Sequence, residues 1–151
     1  MRGMTLIVKT TAGVLLGFIA LFGLHVVVTG HIEPGGGFAG GVILAAGMLL
    51  MVLAFGADEM RERLGERLAV IWESVGAIGF LVVALLGFVA GAFFSNFLPR
   101  ATGVELFTGG AIPFADIAIA LNVGAGLFGA FLMLAAYRTA RGKGNSEGRG
   151  E

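Results

Sequence analysis

Four long apolar runs alternate with short polar segments along the chain, at about residues 5–29, 38–55, 68–94 and 113–137. Each is near or above the roughly 20 helical residues that cross a bilayer. No Asp, Glu, Lys or Arg occurs between positions 10 and 28, 38 and 56, 74 and 94, or 117 and 137. The runs lack the period-two alternation of barrel strands, so helices are the expected spanning form, because backbone groups in hydrocarbon must bond within their own segment. The pattern predicts an all-α integral membrane protein with four transmembrane helices in one domain, residues 1–137. A polar, glycine-rich tail, residues 138–151, is expected to be disordered. The first run is long for a signal-peptide core and no clear A-x-A site follows it, so it reads as a retained helix. Lys9 lies one turn into it, where its stem can reach back to the headgroups.

The polar segments orient these helices. Arg2, Lys9, Arg61, Arg63, Arg67, Arg138, Arg141, Lys143 and Arg149 fall on one side, and only Arg100 on the other. By the positive-inside rule both termini are expected in the cytoplasm and the segment around residues 30–37 outside. The connection at residues 57–67 alternates acid and base at helical spacing, as in Glu59 and Arg63, and reads as a solvated helical turn or two.

Composition sharpens the class. Hydrophobic residues make up 57% of the 151 and charged residues 13%, about half the share of a soluble domain. The net charge is zero, which argues against a nucleic-acid partner. Cysteine is absent, which removes disulfides and thiolate chemistry. The two histidines and few carboxylates form no metal-ligand set, so no metal site is expected. Glycine occurs 27 times. In a membrane it lets helices approach closely, and small-residue spacings recur: Gly13 with Gly17, Gly36 with Gly40, Gly37 with Gly41, Gly87 with Gly91, and Gly126 with Ala130. Gly13, Gly17, Gly40, Gly41, Gly87, Gly91 and Gly126 are therefore candidate packing positions. Four helices cannot bury that many faces in one another, so the chain is expected to be a subunit of a larger complex.

Unusual backbone and ionisable chemistry coincide in one stretch, His31-Ile32-Glu33-Pro34-Gly35-Gly36-Gly37-Phe38-Ala39-Gly40-Gly41. Gly35-x-Gly37-x-x-Gly40 matches a dinucleotide fingerprint in spacing only. That fingerprint needs a strand, a turn and a helix in a βαβ unit, whereas both flanks here are membrane-length apolar runs. Pro34 fixes its own φ and disfavours helical geometry at Glu33, and Gly35, Gly36 and Gly37 can take dihedrals other residues avoid. Two readings stay open. The stretch is either a tight turn that starts a closely packed helix, or a segment in which His31 and Glu33 lie beside an ion or proton route.

The run GHIEPGGGFAGG at residues 30–41 resembles the signature loop of the MnhB/MrpB family, small membrane subunits of Mrp-type multisubunit cation/proton antiporters. The resemblance extends over about residues 6–137, through Glu73-Ser74-x-Gly76 and Ile112-Pro113-Phe114-Ala115-Asp116-Ile117-Ala118. The same family occurs in respiratory relatives, where an Mrp-like module joins a membrane-bound hydrogenase or a sulfur-reducing arm. The resemblance implies a non-catalytic subunit with no cofactor of its own, supporting Na+ or H+ translocation in the cell membrane of a bacterium or archaeon. Implied partners are the other Mrp-type membrane subunits, including large antiporter-like ones that carry the proton path, and a hydrogenase-like peripheral arm in the respiratory case. The residues agree independently: a relay needs a chain of titratable groups or water wires, and His25 is the only such group in these helix interiors.

The candidate ion-passage or gating set is His31, Glu33, Pro34, Gly35, Gly36, Gly37, Phe38 and Asp116. Asp116 enters the last run near the outer face, where a helix N-terminus favours negative charge whether or not a cation binds. With Glu33 and Glu105 it makes that surface acidic. His25 and Asn122 are candidates for a polar or proton role. Glu73 beside Trp72 reads as an interfacial anchor.

Overall fold

The computed structural model describes residues 4–64, 66–91 and 110–147. Its elements are α1 (Leu6–Val28), α2 (Gly36–Phe55), α3 (Ala57–Leu64), α4 (Glu66–Leu86), a single 3-10 turn (Gly87–Ala90) and α5 (Ile112–Glu147). Four of them are long and apolar enough to cross a membrane, and there is no strand among the described residues. The protein is therefore an all-α, four-span membrane protein.

The helix ends depart from the hydropathy limits in instructive ways. The second helix starts at Gly36, before the expected Phe38. The third keeps α geometry only to Leu86, then tightens into the 3-10 turn, where Gly91 closes the end at φ 102° by donating its N–H to the Phe88 carbonyl at 3.0 Å. The last helix takes Pro113 in its first turn, where a missing N–H costs nothing. It then runs past the expected end at Tyr137 to Glu147, so residues 138–147, read as tail, continue the helix. Extending an existing helix needs no new nucleus, and Arg138, Ala140 and Arg141 all favour helix. At 36 residues α5 is about 54 Å long, well beyond the ~30 Å hydrocarbon layer.

The helices form a curved row in the order α1–α2–α5–α4, with α1 also touching α5 and, among the described residues, no contact between α1 and α4. Directions follow from the close approaches. Gly47 meets Leu16 and Ile19 while Gly23 meets Leu44, so α1 and α2 are antiparallel. Gly37 meets Asp116 and Gly41 meets Ala120, so α2 and α5 run parallel. Gly76 meets Asn122 and Gly129 meets Ala69, so α5 and α4 are antiparallel. One end of the row thus carries the 30–37 loop. The other carries the starts of α1 and α4 and the end of α2, where the Met4 N–H donates to the Ala54 carbonyl at 3.0 Å.

Buried positions are mainly alanine and glycine, which sets backbones close together and suits a solvent in which packing, not hydrophobicity, drives helix association. The larger buried side chains gather at the terminal end, where Val52, Met60, Ala69, Phe128 and Leu132 form one cluster. Met60 belongs to α3, so the charged connection is pinned to the bundle by its apolar face. Lys9 places its Nζ 5.1 Å from the Phe55 ring centroid, a cation–π contact beside the C-terminus of α2.

A single row leaves much apolar surface uncovered: only 17% of the α1 and α4 spans and 33% of the α2 and α5 spans are buried. One face holds a groove of about 380 Å³ between α1 and α4, floored by α2 and α5, with Leu24, Met48, Trp72, Leu121 and Phe128 in its walls. A second hollow of about 340 Å³ lies across the α2–α5 contact, against Val42, Leu49, Ala130 and Phe131.

Gly13 and Gly17 face open space among the described residues. Gly17→Ala should therefore leave the thermal midpoint of the purified chain unchanged or raise it slightly, by the ~1 kcal/mol of helix propensity gained. Differential scanning fluorimetry in detergent checks this, and a marked drop would mean that α1 packs through Gly17 within the chain.

Candidate functional site

The site is built where α1 ends and α2 and α5 begin. At the end of α1 the His25 carbonyl accepts both the N–H and the Oγ1 hydroxyl of Thr29, at 2.9 and 2.8 Å. The Thr29 carbonyl then accepts the N–H groups of Ile32 and Glu33 at 2.8 and 2.9 Å, which curls the chain over the helix end. Pro34 has no N–H to continue that pattern. The chain turns through Gly35 and enters α2 at Gly36, whose φ of 67° suits glycine.

Gly35 precedes the first turn of α2 and supplies no capping side chain. The cap comes from another helix. Asp116, in the second turn of α5, accepts the Gly37 N–H on Oδ1 at 3.1 Å. Its Oδ2 is buried with no hydrogen-bond partner among the described residues. Three glycines make room for this carboxylate. A Cβ at Gly30 would stand 2.8 Å from Oδ2, and one at Gly36 3.2 Å from Oδ1. One at Gly37 would strike the Asp116 backbone carbonyl. Because α2 and α5 are parallel, the positive ends of two helix dipoles converge on one carboxylate. The arrangement sets a carboxyl group against the loop, with Oδ1 engaged by the Gly37 N–H and Oδ2 facing Gly30.

Asp116, Gly36 and Gly37 of the expected set are thus brought together, with Gly30 as a partner the sequence reading left out. Glu33, Pro34, Gly35 and Phe38 lie on the exposed side of the loop, and His31 is half-buried within it. His25 is exposed on the last turn of α1. Asn122 lies six residues along α5 from Asp116, about 9 Å away, with its backbone against Gly76. Glu105, grouped with Glu33 and Asp116 as an acidic surface, lies outside the described residues, as does Arg100.

The candidate packing glycines divide sharply. A Cβ at Gly40 would run into Val27 and stand 2.9 Å from the Gly23 carbonyl, and one at Gly41 would stand 2.8 Å from the Ala120 carbonyl. Gly126 lies beside the Glu73 side chain, at 3.4 Å from Oε1 to its ideal Cβ. Gly87 is buried where the 3-10 turn begins, whereas Gly13, Gly17 and Gly91 meet nothing within 4 Å among the described residues. Gly23, Gly47 and Gly76 are tight positions that spacing alone did not select. Only Gly76 carried a signal, its place in the Glu73-Ser74-x-Gly76 run.

The chain is thus a four-span helical row whose parallel α2 and α5 meet at a glycine-lined carboxylate. The family described as "Domain related to MnhB subunit of Na+/H+ antiporter" matches residues 7–129, and the chain belongs to this MnhB family. It is 36% identical to an uncharacterised protein of Methanocaldococcus jannaschii over 86% of its own length and 52% of that protein's. The chain thus spans about half of that archaeal relative. It is 31% identical to a protein named as antiporter subunit mnhB2 of Staphylococcus haemolyticus, over 65% of this chain and 67% of that one. Among solved structures it resembles a chain of the membrane-bound sulfane sulfur reductase, an archaeal respiratory membrane complex. There the TM-score is 0.66 and the identity 31%, over 87% of this chain and 58% of that one. Family members are thus subunits of multisubunit membrane complexes.

Proposed function

We propose that this chain is a non-catalytic membrane subunit of an Mrp-type cation/proton antiporter module, supporting Na+/H+ translocation inside a multisubunit complex. The module is either free-standing or joined to an ion-pumping hydrogenase or sulfur-reducing arm. The chain resides in the cell membrane with both termini in the cytoplasm, so the 30–37 loop and Asp116 face outward. Its partners are the other Mrp-type membrane subunits, and Na+ or H+ is the transported ion. The observation that carries this reading is the enclosure of the Asp116 carboxylate by the family-like glycine loop, with Glu33 and His31 on the same short segment. An ionisable group held by irregular backbone in a membrane protein is characteristic of an ion or proton route. The rest of that route belongs to other subunits in this reading, in line with the scarcity of titratable groups inside these spans.

The test uses vesicles carrying the whole complex. Glu33→Gln and Pro34→Gly should lower Na+-coupled proton movement several-fold while the complex still migrates intact on native gels. Normal transport by well-assembled variants would refute an ion-passage role for the loop. A second reading is favoured by the backbone contact between Gly37 and Asp116: the loop is purely an assembly surface that locks α2 onto α5. In that case the same substitutions disperse the complex before transport changes in the assembled fraction.

A further inference from the structure

Glu73 lies six residues beyond Arg67, where the α4 span begins, and so about 9 Å along the helix into the apolar layer. Its side chain is exposed. It does not stretch back toward the helix end but lies sideways across α5, over Gly126, whose missing side chain leaves room for it. Among the described residues, no basic side chain lies at that depth. The spans of α2, α4 and α5 contain no Lys, Arg or His beyond Arg67, and Lys9 of α1 is held over Phe55 on a helix that does not meet α4. Within one turn, α4 thus presents two different surfaces: Trp72 lines the apolar groove, and Glu73 stands on the other side of the α4–α5 contact.

We propose that the α4–α5 face around Glu73 seats a transmembrane helix of a neighbouring subunit that brings a Lys or Arg side chain opposite this carboxylate. Charge complementarity selects this occupant, because acidic side chains within a span face a protein interior and pair with an opposite charge. Ala77 and Ala130 flank Glu73 and Gly126 as exposed small residues, which lets a partner backbone come close enough for its basic side chain to reach. A second copy of this chain does not fit, since its own spans have no basic residue at the matching depth. Lipid does not fit either, since acyl chains offer a carboxylate neither charge nor hydrogen bond. The proposal rests on the reading of this chain as a subunit of a multisubunit complex.

The native sequence has no cysteine, so a single Ala77→Cys can be introduced into the intact complex in its membrane. A bifunctional thiol–amine reagent should join it to a neighbouring subunit, and the same reagent at Ser74→Cys serves as a second position on that helix. Glu73→Lys should reduce recovery of the chain in the complex on native gels on the order of tenfold or more. Glu73→Leu should also reduce it, although leucine is the better residue against lipid, and Glu73→Gln should lie between wild type and leucine. Recovery with Glu73→Leu equal to or above wild type would overturn the proposal, because a lipid-facing position gains from the change. So would Ala77→Cys labelling only from a lipid-dissolved thiol probe. If the wild-type chain migrates alone, the multisubunit reading falls with it. An intact wild-type complex with indifferent Glu73 variants sinks this proposal alone.

Discussion

Gly37→Ala is expected to be the most disruptive single methyl addition among the described glycines. The new Cβ would strike the Asp116 carbonyl oxygen and stand 2.8 Å from its carbonyl carbon and Cα, all backbone atoms that cannot rotate aside. Relief requires α2 and α5 to separate at the loop end, and that separation also stretches the Gly37 N–H bond to Oδ1. Overpacking a close-packed site costs about 1–3 kcal/mol, and loss of the hydrogen bond adds to it. A fall in thermal midpoint should be readable through Trp72, the only tryptophan, which lies on α4 beside α5 and lines the groove floored by α2 and α5. Gly17→Ala is the matched control, because the same atom is added there to open space. Equal behaviour of the two variants would refute the close approach of α2 and α5.

Asp116→Ala should have the next largest effect on the chain itself. It removes the only side chain among the described residues that caps α2, and it leaves the Gly37 N–H buried without its acceptor. Hydrogen bonds to charged groups contribute about 1.5–3 kcal/mol, and loss of an N-cap alone costs ~1 kcal/mol. Asp116→Asn keeps an acceptor at Oδ1 and should lose less than half as much stability. The pair also separates two roles. If Asp116→Asn assembles with near-normal stability but loses Na+-coupled transport in whole-complex vesicles, the carboxylate acts through its charge. If it transports normally while Asp116→Ala disperses, Asp116 serves only to hold the loop.

Much of this was legible in the residues. Membrane-length runs without charged residues mark the four spans, since solvation by lipid is a local property of each segment. The 30–41 motif announced irregular backbone, because proline followed by three glycines can neither continue a helix nor start one in the ordinary way. The start of α2 was misplaced by two residues for the same reason. Glycine looks like a poor helix opener until a carboxylate 79 residues downstream accepts the Gly37 N–H. Asp116 itself was legible as a helix-terminal charge, but its partner was not, since the dipole it serves belongs to α2 as much as to its own helix. Glu73 read as an anchor beside Trp72. Only the α4–α5 contact shows that Trp72 lies on the groove side of it and Glu73 over Gly126 on the other.

What the sequence determined by itself is the solvent of this protein, the number of its spans, the position of the glycine-rich 30–41 motif and the family to which that motif belongs. Each follows from composition along a short stretch. What only the tertiary structure decided is the neighbour of each helix: the open row α1–α2–α5–α4, the parallel pairing of α2 with α5, the glycines that are tight or free, and the side on which Glu73 lies. The physical reason is that in lipid an apolar face carries no preference between lipid and another helix. Hydropathy therefore says where a helix is, and only the fit of backbones at Gly37, Gly40, Gly41 and Gly76 says what it touches.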